Sequence, residues 1–179
     1  MNGYLIYGPQ GSGKSTFAPY IAEKLGVSYL TTGQIFRDEM AKGTEVGKKV
    51  AERMTQGILI DDKTTWEVLE PRLEAAKNGF LLDGYPRNLN QVKTLEEKGY
   101  TFKKIFYMAL AEEVAIKRLL DRGREDDTEE GIRTRLNFYK NQTQPVLDHY
   151  KQSGVEVKKI DNLPNPEVVR KNIDDYLKN

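Results

Sequence analysis

Cysteine is missing from all 179 residues. That single absence excludes disulfides, thiolate nucleophiles, structural zinc on thiolates and iron–sulfur ligation. Histidine occurs once, as His149, so a histidine-rich metal site cannot form. No apolar run approaches the length needed to span a bilayer, which speaks against a membrane partner. The start, Met1-Asn2-Gly3-Tyr4, lacks a basic stretch followed by an apolar one, so no secretory signal is expected and a cytoplasmic protein is. Charge of one sign is not in surplus either: 28 basic residues face 27 acidic ones, for a net charge of +1. That balance argues against a nucleic-acid binder, which would show a clustered basic excess, and against disorder driven by self-repulsion.

What remains is the composition of one globular domain, residues 1–179. Hydrophobic residues make up 38%, enough for a buried core at this length. Charged residues at 31% and a mean hydropathy of −0.66 indicate a well-solvated surface. Short apolar runs at 4–7, 27–30, 80–82, 104–110 and 155–160 read as strands. Helical spacing covers 14–25, 34–41, 47–54, 62–76, 89–98, 112–121, 128–151 and 165–177, with Gly26 placed as a C-terminal cap. Strands alternating with helices predict an α/β fold, a parallel five-stranded sheet covered on both faces. Two stretches read as excursions from it: a helical insert at 31–60 and a charged turn at 122–127. Pro19 falls inside the first predicted helix, which calls for a kink or a displaced helix start.

Gly8-Pro9-Gln10-Gly11-Ser12-Gly13-Lys14-Ser15 fits the pattern G-x-x-x-x-G-K-[ST], following a predicted strand and opening a predicted helix. Glycines let successive backbone N–H groups turn inward around phosphate oxygens at the positive end of a helix. Gly11, Ser12 and Gly13 thus form the cradle. Lys14 reaches the β- and γ-phosphates, and the hydroxyl of Ser15 or Thr16 serves Mg²⁺ or the α-phosphate. This predicts a bound nucleoside triphosphate and leaves the acceptor open.

The segment Leu81-Leu82-Asp83-Gly84-Tyr85-Pro86-Arg87 ends a strand with an acid and turns to an arginine. A strand-end carboxylate suits Mg²⁺ held through water, and the arginine suits a bidentate phosphate clamp. Together with the phosphate loop, this segment resembles the adenylate kinase family of nucleoside monophosphate kinases, and the likeness runs over essentially the whole chain.

The resemblance implies a phosphate-loop NTPase fold and reversible transfer from MgATP to AMP, giving two ADP. By the same likeness Thr32, Gly33 and Arg37 bind AMP, Ile58, Leu59 and Ile60 form the wall beside its base and ribose, and Gly84, Tyr85, Pro86 and Arg87 take its phosphate. Gln91 resembles the glutamine that reads the adenine edge. Arg118 and Arg122 resemble the pair that clamps ATP; Arg124 and Arg135 resemble the arginines that close on the transferring group. Asp126 and Asp127 match paired acids at the lid hinge.

Lys14, Arg87, Arg122, Arg124 and Arg135 are therefore the expected catalytic set, with Ser15 and Asp83 toward Mg²⁺. Zinc is not expected, and the likeness suggests a monomer whose partners are ATP, AMP and ADP. The chain departs from the family at Ser15, where glycine is common, at Gln34, where an acid is usual, and in a lid reduced to 122–127. Closure is then expected to rely on arginine-bearing helix ends and on movement of 31–60. The alternatives are a UMP/CMP kinase, which Asn88 after Arg87 would suit, and a non-catalytic ATP-binding scaffold.

Overall fold

In a computed structural model, residues 2–55, 60–123, 127–162 and 165–178 are described. Five strands run parallel: β1 (Asn2–Tyr7), β2 (Ser28–Thr31), β3 (Phe80–Asp83), β4 (Thr101–Ala109) and β5 (Glu156–Asp161), in the order β2-β3-β1-β4-β5. Helices α1 (Lys14–Leu25), α4 (Asp62–Ala75), α5 (Leu89–Glu97), α6 (Glu112–Arg122), α8 (Gln144–Gln152) and α9 (Pro166–Lys178) connect or flank them. Between β2 and α4 lie α2 (Thr32–Ala41) and α3 (Glu45–Thr55). The α/β architecture and five-stranded parallel sheet are as the sequence predicts.

Side chains alternate across each strand, so neighbouring residues serve opposite layers. Leu5, Leu82 and Ile105 pack with Leu69 and Leu73 of α4, Leu95 of α5 and Leu147 of α8. Ile6, Leu81 and Phe106 face the other way, against Phe17 and Ile21 of α1 and Val169 and Ile173 of α9. Each fully buried side chain of this size contributes about 1.5–3 kcal/mol over leaving it in water. Every residue of β3 is buried, as expected of an inner strand covered on both faces.

The structure corrects the sequence reading in three places. The predicted helix 128–151 is interrupted: α7 (Glu129–Phe138) passes through a π-helical turn, Tyr139–Thr143, before α8 begins. Thr31 belongs to β2, where it pairs with Asp83, so the first residue of the expected insert is sheet. Pro19 does not shift the start of α1; the helix is continuous from Lys14 to Leu25 with the proline inside it. Pro19 has no N–H to offer the carbonyl of Ser15, an exposed residue near the start of the helix.

Candidate active site

In a parallel sheet, ligands sit outside the carboxyl ends of the strands. Tyr7, Thr31 and Asp83 end β1, β2 and β3 on that edge, with Ile6 and Thr31 both registered on Asp83. The glycine-rich loop leaves β1 there and enters α1. Gly13 takes φ 80°, in the left-handed region open to glycine, and a β-carbon there would run into the Asn162 side chain. Asn162 Nδ2 donates to the Ser12 carbonyl at 2.8 Å, so a residue 150 positions away fixes the loop. The Ser12 hydroxyl is buried without a partner, as befits a loop built to surround something polar.

Lys14 folds back, its Nζ donating to the carbonyls of Gly8 and Pro9 at 2.8 Å each. Desolvation pulls its pKa below the ordinary lysine value, opposed by the charge of Asp83 and reinforced by Arg87 and Arg122. These four groups therefore share one electrostatic neighbourhood. Ser15 and Thr16 are exposed, leaving their hydroxyls open to a ligand.

Asp83 is buried, and one of its oxygens accepts the Tyr29 hydroxyl at 3.1 Å. Among the described residues no three His, Cys, Asp or Glu side chains come together as a metal cage. Asp83 supplies a carboxylate and Ser15 a hydroxyl, the kinds of oxygen donor that suit Mg²⁺ carried on nucleotide phosphates.

The turn after β3 is bonded from every side. Gly84 takes φ 83°, and a β-carbon on it would sit 2.6 Å from Thr32 Oγ1. Its carbonyl accepts the Thr32 hydroxyl at 3.2 Å and Arg87 Nε at 2.7 Å. Tyr7 donates its hydroxyl to the Pro86 carbonyl, and Thr143, the last residue of the π-helical turn, donates to the Arg87 carbonyl at 2.9 Å. The Arg87 N–H donates to Gln91 Oε1 at 2.6 Å. Burial lowers the Arg87 pKa, Asp83 raises it and Arg135 lowers it again. The half-buried Arg87 thus feels the charge of Asp83 on one hand and of Arg135 on the other.

On the far side, Asp127 gathers two of the predicted arginines. Arg122 donates to both its oxygens at 2.8 Å, and Arg135 Nη2 to Oδ1 at 2.7 Å. The Asp127 side chain is fully buried, yet Arg122 stays partly open to solvent.

Other predicted residues lie apart from this group. Arg118 Nη2 donates to the Asn162 carbonyl at 2.9 Å, binding α6 to the loop's own support. Arg37 is exposed and donates twice to Gln34 Oε1, at 2.7 and 3.1 Å. The glutamine therefore orients Arg37 as an acid would, without its charge. Gly33 lies beside them in α2. Ile60 lines a cavity of about 540 Å³ with Val50, Arg53, Asp61 and Thr64, none of which is a predicted site residue. Ile58, Leu59, Arg124 and Asp126 lie outside the described residues.

Four residues at the site carry no mark in the sequence. Thr143, Tyr7 and Asn162 act through contacts 56, 79 and 150 positions away along the chain, which no local pattern announces. Asp62 accepts from Asn88 and Gln91. Asn88 itself caps α5, a structural duty that removes its value as a hint of a pyrimidine acceptor. The N-cap spacing Asn88-x-x-Gln91 was the available signal.

A glycine-rich loop of phosphate-binding pattern and an arginine-bearing turn at the same sheet edge are the arrangement of a nucleoside monophosphate kinase. The adenylate kinase family model matches residues 6–155. The chain is 42% identical over 151 residues to an adenylate kinase of Prochlorococcus marinus strain MIT 9515, covering 82% of this chain and 83% of that one. It is 39% identical over 161 residues to one from Corynebacterium aurimucosum, covering 87% and 89%. With an adenylate kinase of Prochlorococcus marinus strain SARG, 37% identity extends over 98% of both chains. The chain belongs to the adenylate kinase family, and its enzyme class is phosphotransferase.

Proposed function

We propose that the protein transfers the γ-phosphoryl group of MgATP to AMP, reversibly, giving two ADP. The observation that carries this reading is geometric: the phosphate-loop strand β1 and the Arg87 turn after β3 end at the same sheet edge, and Arg122 and Arg135 are gathered on Asp127. Gly11, Ser12, Gly13 and Lys14 take the donor phosphates, Arg87 takes the acceptor phosphate, and Arg122 and Arg135 close on the group between them. Bound Mg²⁺ would neutralise the donor phosphates, with Ser15 and Asp83 as its protein contacts, the latter through water. Phosphoryl transfer of this kind needs alignment and positive charge rather than a general base, because the attacking group is already an anionic phosphate.

Lys14 must release the Gly8 and Pro9 carbonyls to reach a phosphate, and the ligand repays those two bonds with charge-assisted ones. Residues 31–60 are the acceptor insert and 122–127 the lid, with Arg118 beside the nucleotide base and Thr32, Gly33, Arg37 and Ile60 on the acceptor side. The protein works as a cytoplasmic monomer on ATP, AMP and ADP.

The test is ADP formation from MgATP with AMP, UMP, CMP, GMP or no acceptor. AMP alone should drive turnover, and Lys14→Ala should abolish it, by at least about a thousandfold. Turnover with UMP or CMP in place of AMP would overturn the acceptor assignment.

A further inference from the structure

Gln91 is 4% exposed, and its side-chain amide is caught between two groups that cannot exchange roles. A backbone N–H only donates and an ionised carboxylate only accepts. The Arg87 N–H donates to Gln91 Oε1 at 2.6 Å, so the oxygen must face Arg87. Gln91 Nε2 donates to Asp62 Oδ1 at 2.7 Å, so the nitrogen must face Asp62. Asp62 is held in turn: Asn88 Nδ2 donates to its two oxygens at 3.0 and 3.3 Å, while Asn88 Oδ1 accepts the Gln91 backbone N–H at 2.9 Å. Asp62 at the start of α4 and Asn88 and Gln91 at the start of α5 close one ring of hydrogen bonds, to which the Arg87 N–H is joined at Gln91 Oε1.

An amide oxygen has two lone pairs and an amide nitrogen two hydrogens. The ring uses one of each. What is left on Gln91 is one acceptor site and one N–H, side by side, in a fixed order. We infer that Asp62 is the positioning residue that sets base specificity: it locks the Gln91 amide in the order that matches the exocyclic amino group and ring nitrogen of adenine. This rests on AMP as acceptor. A free glutamine can turn its amide over and present the reverse order. Hypoxanthine carries that reverse order on an otherwise similar base, with a carbonyl in place of the amino group and a protonated ring nitrogen. IMP is therefore the acceptor that a locked amide rejects and a loose one tolerates, because the wrong order leaves buried polar groups unpaired.

Asp62→Leu keeps the side-chain shape and removes both acceptors; Asp62→Asn keeps one oxygen for Gln91. With saturating MgATP, kcat/KM is measured for AMP and for IMP. The AMP-to-IMP ratio should fall about tenfold in Asp62→Leu, carried by KM for AMP with KM for ATP unmoved, and return to within about threefold of the original in Asp62→Asn. A folded Asp62→Leu protein with an unchanged ratio overturns the inference. Should that variant not fold, the unsubstituted protein decides by ¹⁵N NMR. The Gln91 side-chain NH₂, assigned by its loss in Gln91→Glu, should show hydrogen exchange far slower than an exposed glutamine, and ordinary exchange overturns the lock. Failure of AMP to act as acceptor in the unsubstituted enzyme overturns the acceptor reading itself, a result separate from any change in the ratio.

Discussion

The turn at 83–91, proposed above as the acceptor seat, and the group of Arg122, Asp127 and Arg135, proposed as part of the lid, both hold arginines, and they do so by different means. Arg87 sits in a turn whose carbonyls and N–H groups are tied down by neutral donors and acceptors from β1, α2, α5 and the π-helical turn. Arg122 and Arg135 both pair with the charged Asp127, and Arg135 Nε also donates to the Gly131 carbonyl. A turn fixed by many short-range bonds is prearranged before substrate arrives. An arm fixed by charge can be claimed by a more strongly charged phosphate, so the same contact that parks it also lets it go. On the proposed reaction, the difference would separate a rigid seat for the acceptor from a part that changes partners during the cycle.

The most severe way to break this comparison is on the lid arm. Arg135→Ala should lower kcat about 10²–10³-fold, as expected for loss of one preorganised charge on a transferring group. Asp127→Asn, which keeps both arginines and removes only the charge that pairs with them, should cost less, about tenfold. Steady-state kinetics with saturating AMP and MgATP distinguish the two. Equal losses would mean that the carboxylate does more than park the arginines.

On the acceptor turn the effect should be milder and of another kind. Thr143→Val removes one hydroxyl and leaves the Arg87 carbonyl without that donor, a loss of about 1 kcal/mol. Denaturant unfolding should register that change, together with a severalfold rise in KM for AMP and little change in kcat. A kcat effect as large as that of Arg135→Ala would erase the distinction between seat and arm.

The smallest effect concerns Lys14 and pH. Its folded pKa lies below the ordinary value because burial penalises the charge. Between the folded and unfolded pKa values the unfolded chain binds more protons, so stability gained from this group rises with pH there; below both, the penalty is present in full. Lys14→Met should therefore be more stable than the original at neutral pH, and the gap should narrow as pH climbs toward about 10.4, the ordinary lysine value. Thermal melts at several pH values test the sign. A gap that widens with pH would contradict the desolvation account.

How far the sequence revealed all this depends on the range of each contact. The loop at 8–15 was legible because its glycines, lysine and hydroxyl act within eight consecutive positions and its context is one strand and one helix. Asp83 and Arg87 were legible for the same reason. The ring of Asp62, Asn88 and Gln91 was not, since it joins positions 26 to 29 apart whose residue types suit any helix start. The π-helical turn escaped because its residues keep helical spacing on both sides; what marks it is the reach of Thr143 to Arg87, a three-dimensional fact. Pro19 misled in the other direction: the helix continues through it from Lys14 to Leu25, so the missing N–H did not displace the helix start.

The strand order also has a temporal meaning. The phosphate loop hangs from β1, the central strand, whose two neighbours are β3 and β4. Leu5 pairs with Leu82 on one side and Ile105 on the other, so its partners are synthesised long after it. A parallel sheet of this kind concentrates its contacts at large sequence separation, which slows folding because long loops must close before pairing is rewarded. A ribosome making this protein exposes the glycine-rich loop well before either neighbouring strand. That segment acquires its flanking strands only once the chain has passed Ala109, so during synthesis it remains an unsupported loop until both β3 and β4 have been made.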